Sequence, residues 1–263
     1  MQNKVIEEKF AAIIDSACYW LGYQLKIGRE QLIHEASLRY PLADSITANG
    51  TAIQRIVLEQ LHPLFKSKKI DLVIYDKTVK QPEAEKDDQN LNEVFELKLA
   101  KSETGKVHGD EHQRVFDDVV RLAYYNKWGK KQCYFMMCGT YENFKSYFVG
   151  EQNVITTRGK KNFVSQKTIK TPLIPGQVIE EWTPDGPYKD WFSFVLGEPQ
   201  TIIFDDKDPD WGLSQFQKKY KVRDEKMHVF SSSINIQTTC MAISSVGDKN
   251  KTHAAGIWRI ESK

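Results

Sequence analysis

A chain of 263 residues can build one large domain or two small ones and bury a sizeable core without disulfide or metal staples. With 40% hydrophobic and 27% charged residues, 15 Gly and 9 Pro, collagen-like, coiled-coil and largely disordered architectures are excluded. No apolar stretch approaches bilayer-spanning length, and the formal charge is only +2, so a nucleic-acid partner would need a local basic surface. The opening MQNKVIEEKF is charged too early for a secretory leader, and the expected compartment is the cytoplasm. There Cys18, Cys133, Cys138 and Cys240 read as buried free thiols; Cys133 and Cys138 fall on opposite faces of one apolar strand and cannot share a metal.

Apolar residues at Val5, Ile6, Phe10, Ile13, Ile14, Ala17 and Leu21 have helical spacing, predicting a helix from Lys4 to about Leu21. A second helical stretch is predicted from Arg29 to Ala48, where Pro41 either kinks it or opens a new helix in its first turn. Asn49-Gly50 marks a turn. The period then changes. Ala52–Leu61 reads as a strand, with a short helix as the alternative, and Lys69–Asp76 (KIDLVIYD) as a second strand. Lys77–Glu93 is a polar, charged connection, Val94–Ala100 (VFELKLA) a third strand, Asp110–Asn126 an amphipathic helix, and Gln132–Gly139 a strand covered on both faces.

From Thr140 onward short apolar runs (VITT, DWFSFVL, TIIF, AGIWRI) alternate with Pro, Gly and Asp turns. Val229–Val246, rich in Ser and Thr, is expected to form two strands around a polar turn. This half is therefore predicted to be strand-rich α+β.

Charge inside the apolar strands carries the chemistry. Period two puts Asp71, Val73 and Tyr75 on one face of KIDLVIYD, with Ile70, Leu72 and Ile74 on the other. In VFELKLA it sets Glu96 and Lys98 together, opposite Phe95, Leu97 and Leu99. Antiparallel neighbours lie roughly 4.8 Å apart, so one register gathers both carboxylates and the lysine. Two buried carboxylates repel unless a cation lies between them, and hard oxygen ligands with few protein donors suit Mg²⁺. An acidic residue two before a lysine occurs five times in the chain. Only the Glu96 copy lies in an apolar strand that follows another strand bearing a central aspartate.

Asp71 followed by Glu96-Leu97-Lys98 in such strands resembles the PD-(D/E)xK, or restriction-endonuclease-like, nuclease superfamily. The order helix, strand, strand, strand, helix, strand over Arg29–Gly139 agrees with it, while Ile70 stands where the family name has proline. The resemblance implies a mixed central sheet flanked by helices, cutting phosphodiester bonds with Mg²⁺ held by Asp71 and Glu96. Lys98 would act on the attacking water or the phosphate. Many members add a glutamate from the helix before the first strand; Glu35 is the candidate, with Glu59 competing.

Other features have plainer readings. His108 and His112 are four apart but lack a third ligand, so they read as a solvated helix start. Asp118 and Arg121 read as an intrahelical ion pair, or as groups that position Lys98 or a phosphate. Asp205, Asp206, Asp208 and Asp210 read as a surface turn, and Trp191 and Trp258 as core, with Trp182 and Trp211 available for stacking. Arg158, Lys160, Lys161, Lys167 and Lys170 form a basic stretch, a solvated loop or, beside a nuclease core, a phosphate-contacting arm.

The chain is thus expected to be an α/β protein with an N-terminal helix (1–28), a restriction-endonuclease-like core (29–139) and a strand-rich extension (140–263). Its expected activity is Mg²⁺-dependent DNA endonuclease cleavage, with Mn²⁺ able to substitute. Asp71, Glu96, Lys98 and Glu35 would form the catalytic set, and Arg158, Lys160, Lys161 and Lys167 the DNA contact. A homodimer would suit cleavage of both strands. The alternatives are a non-catalytic nucleic-acid-binding or assembly protein with this fold, and an RNA-directed nuclease.

Overall fold

The structure is a computed structural model and describes residues 2–29, 32–79, 90–100, 109–148, 191–206, 212–224, 229–230, 232–246 and 253–263. Helix α1 (Gln2–Lys26) runs past the expected end and buries Phe10, Ile13, Ile14, Ala17 and Leu21, the stripe their spacing predicts. The second helix is shorter than expected. A 3-10 turn (Glu35–Leu38) comes first, and α2 spans Arg39–Ala48. Pro41 explains the difference: it has no N–H to donate to a preceding turn, so it fits only within a helix's first turn. Glu35 therefore stands on the turn ahead of α2, and Arg39 becomes the first helical residue.

Strand β1 is Ile56–Leu61; the earlier part of the predicted strand is a 3-10 turn, Ile53–Arg55. Arg55 holds that turn against the sheet by donating two hydrogen bonds to the Tyr75 carbonyl, at 2.8 and 2.6 Å. β2 (Lys69–Tyr75), β3 (Leu91–Ala100), α3 (Gly109–Gly129) and β4 (Gln132–Thr140) follow close to their predicted places.

The second half departs further from expectation. A helix, α4 (Tyr141–Phe148), follows directly on β4, with Phe144 and Tyr147 buried three residues apart. Of the run DWFSFVL, Trp191–Leu196 pairs with no strand; side chains hold it instead, as Trp258 Nε1 donates to the Ser193 carbonyl at 2.8 Å. β5 (Pro199–Phe204) and α5 (Leu213–Lys219) come next. Where two strands were expected, β6 (Ile234–Val246) is one strand of 13 residues, its register shifting between Cys240 and Ala242. The shift absorbs the irregularity that the Ser/Thr-rich sequence suggested as a turn. β7 (His253–Ser262) completes the chain.

All seven strands form one sheet in the order β1-β2-β3-β4-β7-β6-β5, antiparallel throughout except for the parallel pair β3–β4. The fold is mixed α/β around an open, mostly antiparallel sheet. The parallel pair needs a crossover, and α3 provides it. Helices α1 and α2 cover one face against Leu72, Ile74, Phe95, Leu97 and Leu99. Helices α3 and α5 cover the other against Val73, Tyr75, Val94 and Phe135. Ile70 packs on the α3 side, not with Leu72 and Ile74 as strict alternation predicts. Among the described residues no helix is long and apolar enough to cross a membrane.

β3 and β4 approach closely at their C-terminal ends. A Cβ on Gly139 would lie 2.5 Å from the Ala100 carbonyl oxygen and 2.9 Å from its Cβ. Gly139→Val is expected to cost about 1–3 kcal/mol in urea unfolding. An unchanged unfolding midpoint would show that these two strand ends part freely.

Candidate active site

The site lies where β3 parts from β2 while it stays paired with β4. The β2–β3 register pairs Val73 with Val94 and Leu72 with Phe95; carried one residue further it sets Asp71 opposite Glu96. The ladder stops there. Leu97 N–H donates to Asp71 Oδ2 at 2.9 Å, so a side chain takes over from the backbone. On the other flank, β1 pairs Leu58 with Leu72 and Gln60 with Ile70 but omits Glu59, which would face Asp71. Glu59 has φ 55°, a left-handed conformation costly for a residue with a Cβ.

The structure brings Asp71, Glu96, Lys98 and Glu35 together, as expected, but each is tied to a neighbour. Asp71, Glu96 and Lys98 are only 8%, 3% and 6% exposed, so their charges need partners. Arg39 Nε and Nη2 both donate to Asp71 Oδ1, at 3.0 and 2.6 Å, while Nη1 donates to Glu59. Lys69 closes this side, 2.9 Å from Glu59 Oε2. Arg121 Nη2 donates to Glu96 Oε1 at 2.9 Å and to Asp118 Oδ1 at 2.5 Å. Lys98 Nζ lies 3.2 Å from Glu35 Oε2 and 3.6 Å from Glu111 Oε2.

Arg39, Lys98 and Arg121 thus each serve two carboxyl groups. Lys69 and Arg114, both on the exposed side, add charge only at Glu59 and Glu111. Burial raises the proton affinities of the carboxyl groups despite these partners. Burial pushes Glu96 well above the ordinary carboxylate range, and the charges of Asp71 and Asp118 add to burial against the pull of Arg121. Asp118 is pushed up to about 7, again by burial first. Burial also raises Glu35, although Lys98 opposes it. Burial disfavours the charged form of Lys98, but Glu35, Asp118 and Glu111 outweigh it, so the lysine holds its proton more firmly than usual.

The repulsion foreseen between Asp71 and Glu96 is therefore answered by arginines within the chain. Arg39 is not among the candidates the sequence reading singles out; a guanidinium two residues before Pro41, where one of the two readings opens a new helix, was the available signal. The intrahelical pair expected between Arg121 and Asp118 is present, and Arg121 also reaches Glu96 on the strand. Glu111, Asp118 and Arg121 repeat at helical spacing along the amphipathic α3, a polar seam that was also legible. Glu59 lies on the site's outer rim through Arg39, whereas Glu35 meets Lys98 directly.

His112 corrects an expectation. It is buried against the Tyr147 ring at 5.7 Å, and burial lowers it to about 4, so it is a neutral core group and no part of a solvated helix start. All four cysteines are buried and free, Trp258 is fully buried, and Trp191 packs on Phe116. His108, Trp182, Trp211, Asp208, Asp210 and the whole basic stretch Arg158, Lys160, Lys161, Lys167 and Lys170 lie outside the described residues. Beside Arg39 and Glu59 opens a groove of about 770 Å³, lined also by Trp20, His34, Tyr40 and Asp44. Among the described residues no three His, Cys, Asp or Glu side chains form a metal-binding group by themselves. No protein-family model, curated protein or solved structure matches the chain.

Asp118 sets a pH dependence of stability. The folded state binds its proton up to about pH 7, the unfolded chain only below roughly pH 3.9. Its contribution is therefore full below the unfolded value and is lost as pH rises through the folded one. Asp118→Asn should remove this slope, so that the melting-temperature difference between wild type and variant changes between about pH 4 and about pH 8 in EDTA. Parallel profiles would show that Asp118 titrates normally.

Proposed function

We propose that this protein is a Mg²⁺-dependent nuclease that hydrolyses phosphodiester bonds, DNA being the first substrate to test, with a restriction-endonuclease-like core. The observation that carries this reading is the gap between β2 and β3, where the register carried one residue on sets Asp71 opposite Glu96 and Lys98 stands one alternation further along. The order α2, β1, β2, β3, α3, β4 and the mixed sheet agree with what the family resemblance implies.

The donor set fits the metal. Asp71 and Glu96 offer hard carboxylate oxygens, and Mg²⁺ is commonly held by one or two carboxylates with waters and phosphate oxygens completing its shell. Burial, first of all, raises the proton affinities of Glu35, Glu96 and Asp118, and a divalent ion would favour their charged forms. When bound, the ion would supply Lewis-acid activation of water and charge neutralisation at phosphorus.

The chain's own residues do the rest by positioning and electrostatics, which dominate phosphoryl chemistry. Lys98, kept protonated by its acidic neighbours, suits neutralising a phosphate better than removing a proton from water. Glu35 anchors the ammonium group, so its role is to position Lys98. Arg39 and Arg121 hold the two carboxylates in place and can turn towards substrate phosphate when these take a cation.

One observation favours a second reading. Both oxygens of Asp71 already accept hydrogen bonds, and Glu96 already holds Arg121. A non-catalytic nucleic-acid-binding or assembly protein would keep such pairs permanently. The two readings separate experimentally. The nuclease nicks supercoiled plasmid with Mg²⁺ or Mn²⁺, and Asp71→Asn abolishes nicking. Lys98→Met keeps the aliphatic stem and lowers the rate by about 10²–10⁴-fold, while Mn²⁺ binding persists in calorimetry. A wild type that cuts neither DNA nor RNA, together with a Lys98→Met variant of lowered melting temperature, favours the binding protein. Cleavage by Asp71→Asn at the wild-type rate overturns the site.

A further inference from the structure

The loop between β1 and β2 and the segment after α5 lie about 150 residues apart in sequence yet meet through a short antiparallel bridge, Phe65 with Val222. Lys66 N–H donates to the Lys221 carbonyl and Arg223 N–H to the Leu64 carbonyl, each at 2.8 Å. The two segments read KSKK (Lys66–Lys69) and KKYKVR (Lys218–Arg223), with no acidic residue in either. Lys66, Lys218, Lys221 and Arg223 are exposed, and Lys68 lies over the Tyr220 ring at 5.0 Å from its centroid.

A chain whose formal charge is only +2 thus concentrates seven cations on one ridge. Like charges held together by backbone hydrogen bonds repel, and the arrangement becomes favourable when a polyanion lies across it. Two of the cations pair with acidic groups that lead towards the candidate site. Lys219 pairs with Asp117 on α3, which also accepts from Tyr220 Oη at 2.9 Å, and Arg121 stacks over the same ring at 5.5 Å. At the other end Lys69, two residues before Asp71, pairs with Glu59. The ridge therefore joins the Asp71 side through Lys69 and the Glu96 side through Lys219, Tyr220 and Arg121.

We propose that this ridge is the track along which the DNA phosphate backbone is held as it enters the site between Asp71 and Glu96. The assignment of the entering strand to the site rests on the nuclease reading; binding to the ridge does not. Exposed lysines supply sequence-independent affinity through counterion release, and bases need not be read.

The test uses the full chain in EDTA, so that binding is read without cleavage. The probe is a fluorescein-labelled DNA duplex of mixed sequence, titrated over a range of salt concentrations. K66Q/K68Q/K218Q/K221Q leaves Lys219, Arg223 and the site untouched. It is expected to weaken binding and to lower the slope of log affinity against log salt by about 0.9 for each phosphate no longer neutralised, hence by up to about 3.6. The single variants K218Q and K221Q, both at exposed positions, should each lower the slope by about 0.9 and serve if the fourfold variant does not fold. An unchanged slope overturns the proposal, as does tighter binding of phosphatidylserine vesicles or of an RNA duplex than of DNA. Cleavage of plasmid by a variant whose slope is unchanged would overturn the ridge and leave the nuclease standing. A lowered slope in a protein that never cuts would do the reverse.

Discussion

Asp71 occupies the point at which the β2–β3 ladder gives way, and its carboxylate substitutes for the next rung by accepting the Leu97 N–H. A buried N–H in this position cannot go unpaired, so the gap between the two strands and the acid that fills it are one feature. The acid brings a charge into an interior that penalises it. Arg39 answers that charge from the first turn of α2, and α2 begins there because Pro41 fixes the helix start. Arg39 and Pro41, two residues apart, and Asp71, 32 residues beyond Arg39, thus settle one another's positions.

The same logic governs the opposite helix layer. Glu96 points towards α3 and is met by Arg121, whose side chain also binds Asp118 one turn earlier. Lys98 reaches between the layers, to Glu35 ahead of α2 and Glu111 at the start of α3. Charged side chains therefore bridge the sheet to both helical layers at one end of the strands, whereas Leu72, Phe95, Leu97 and their neighbours fill one face with apolar packing. Replacing one partner of such a buried pair leaves the other uncompensated, which is why the network behaves as a unit.

Alternation in KIDLVIYD and VFELKLA made the central strands and the Asp71, Glu96 and Lys98 grouping legible, because a buried charge in a period-two pattern stands out. The helix of α3 was legible from its apolar face in the same way. What resisted reading was non-local. Arg39 finds Asp71 across 32 residues, and Phe65 finds Val222 across more than 150, with nothing in either segment that names its partner. The 13-residue β6 was split in two because Ser and Thr signal turns locally, while its pairing with both β5 and β7 overrides that preference. His112 looked solvated beside the polar start of α3, and only α4, itself unforeseen, buries it.

Glu59 has a consequence beyond the site. β1 and β5 are the outer strands of an open sheet, and an outer strand offers unpaired N–H and C=O groups on which another chain can template. The left-handed backbone at Glu59 breaks the regular row of such groups in mid-strand, and the charges of Glu59 and Lys69 sit at the break. At the far edge β5 starts with Pro199, which has no N–H to offer. The kink that turns a carboxylate towards Arg39 also blunts one edge of the sheet against aggregation by strand addition.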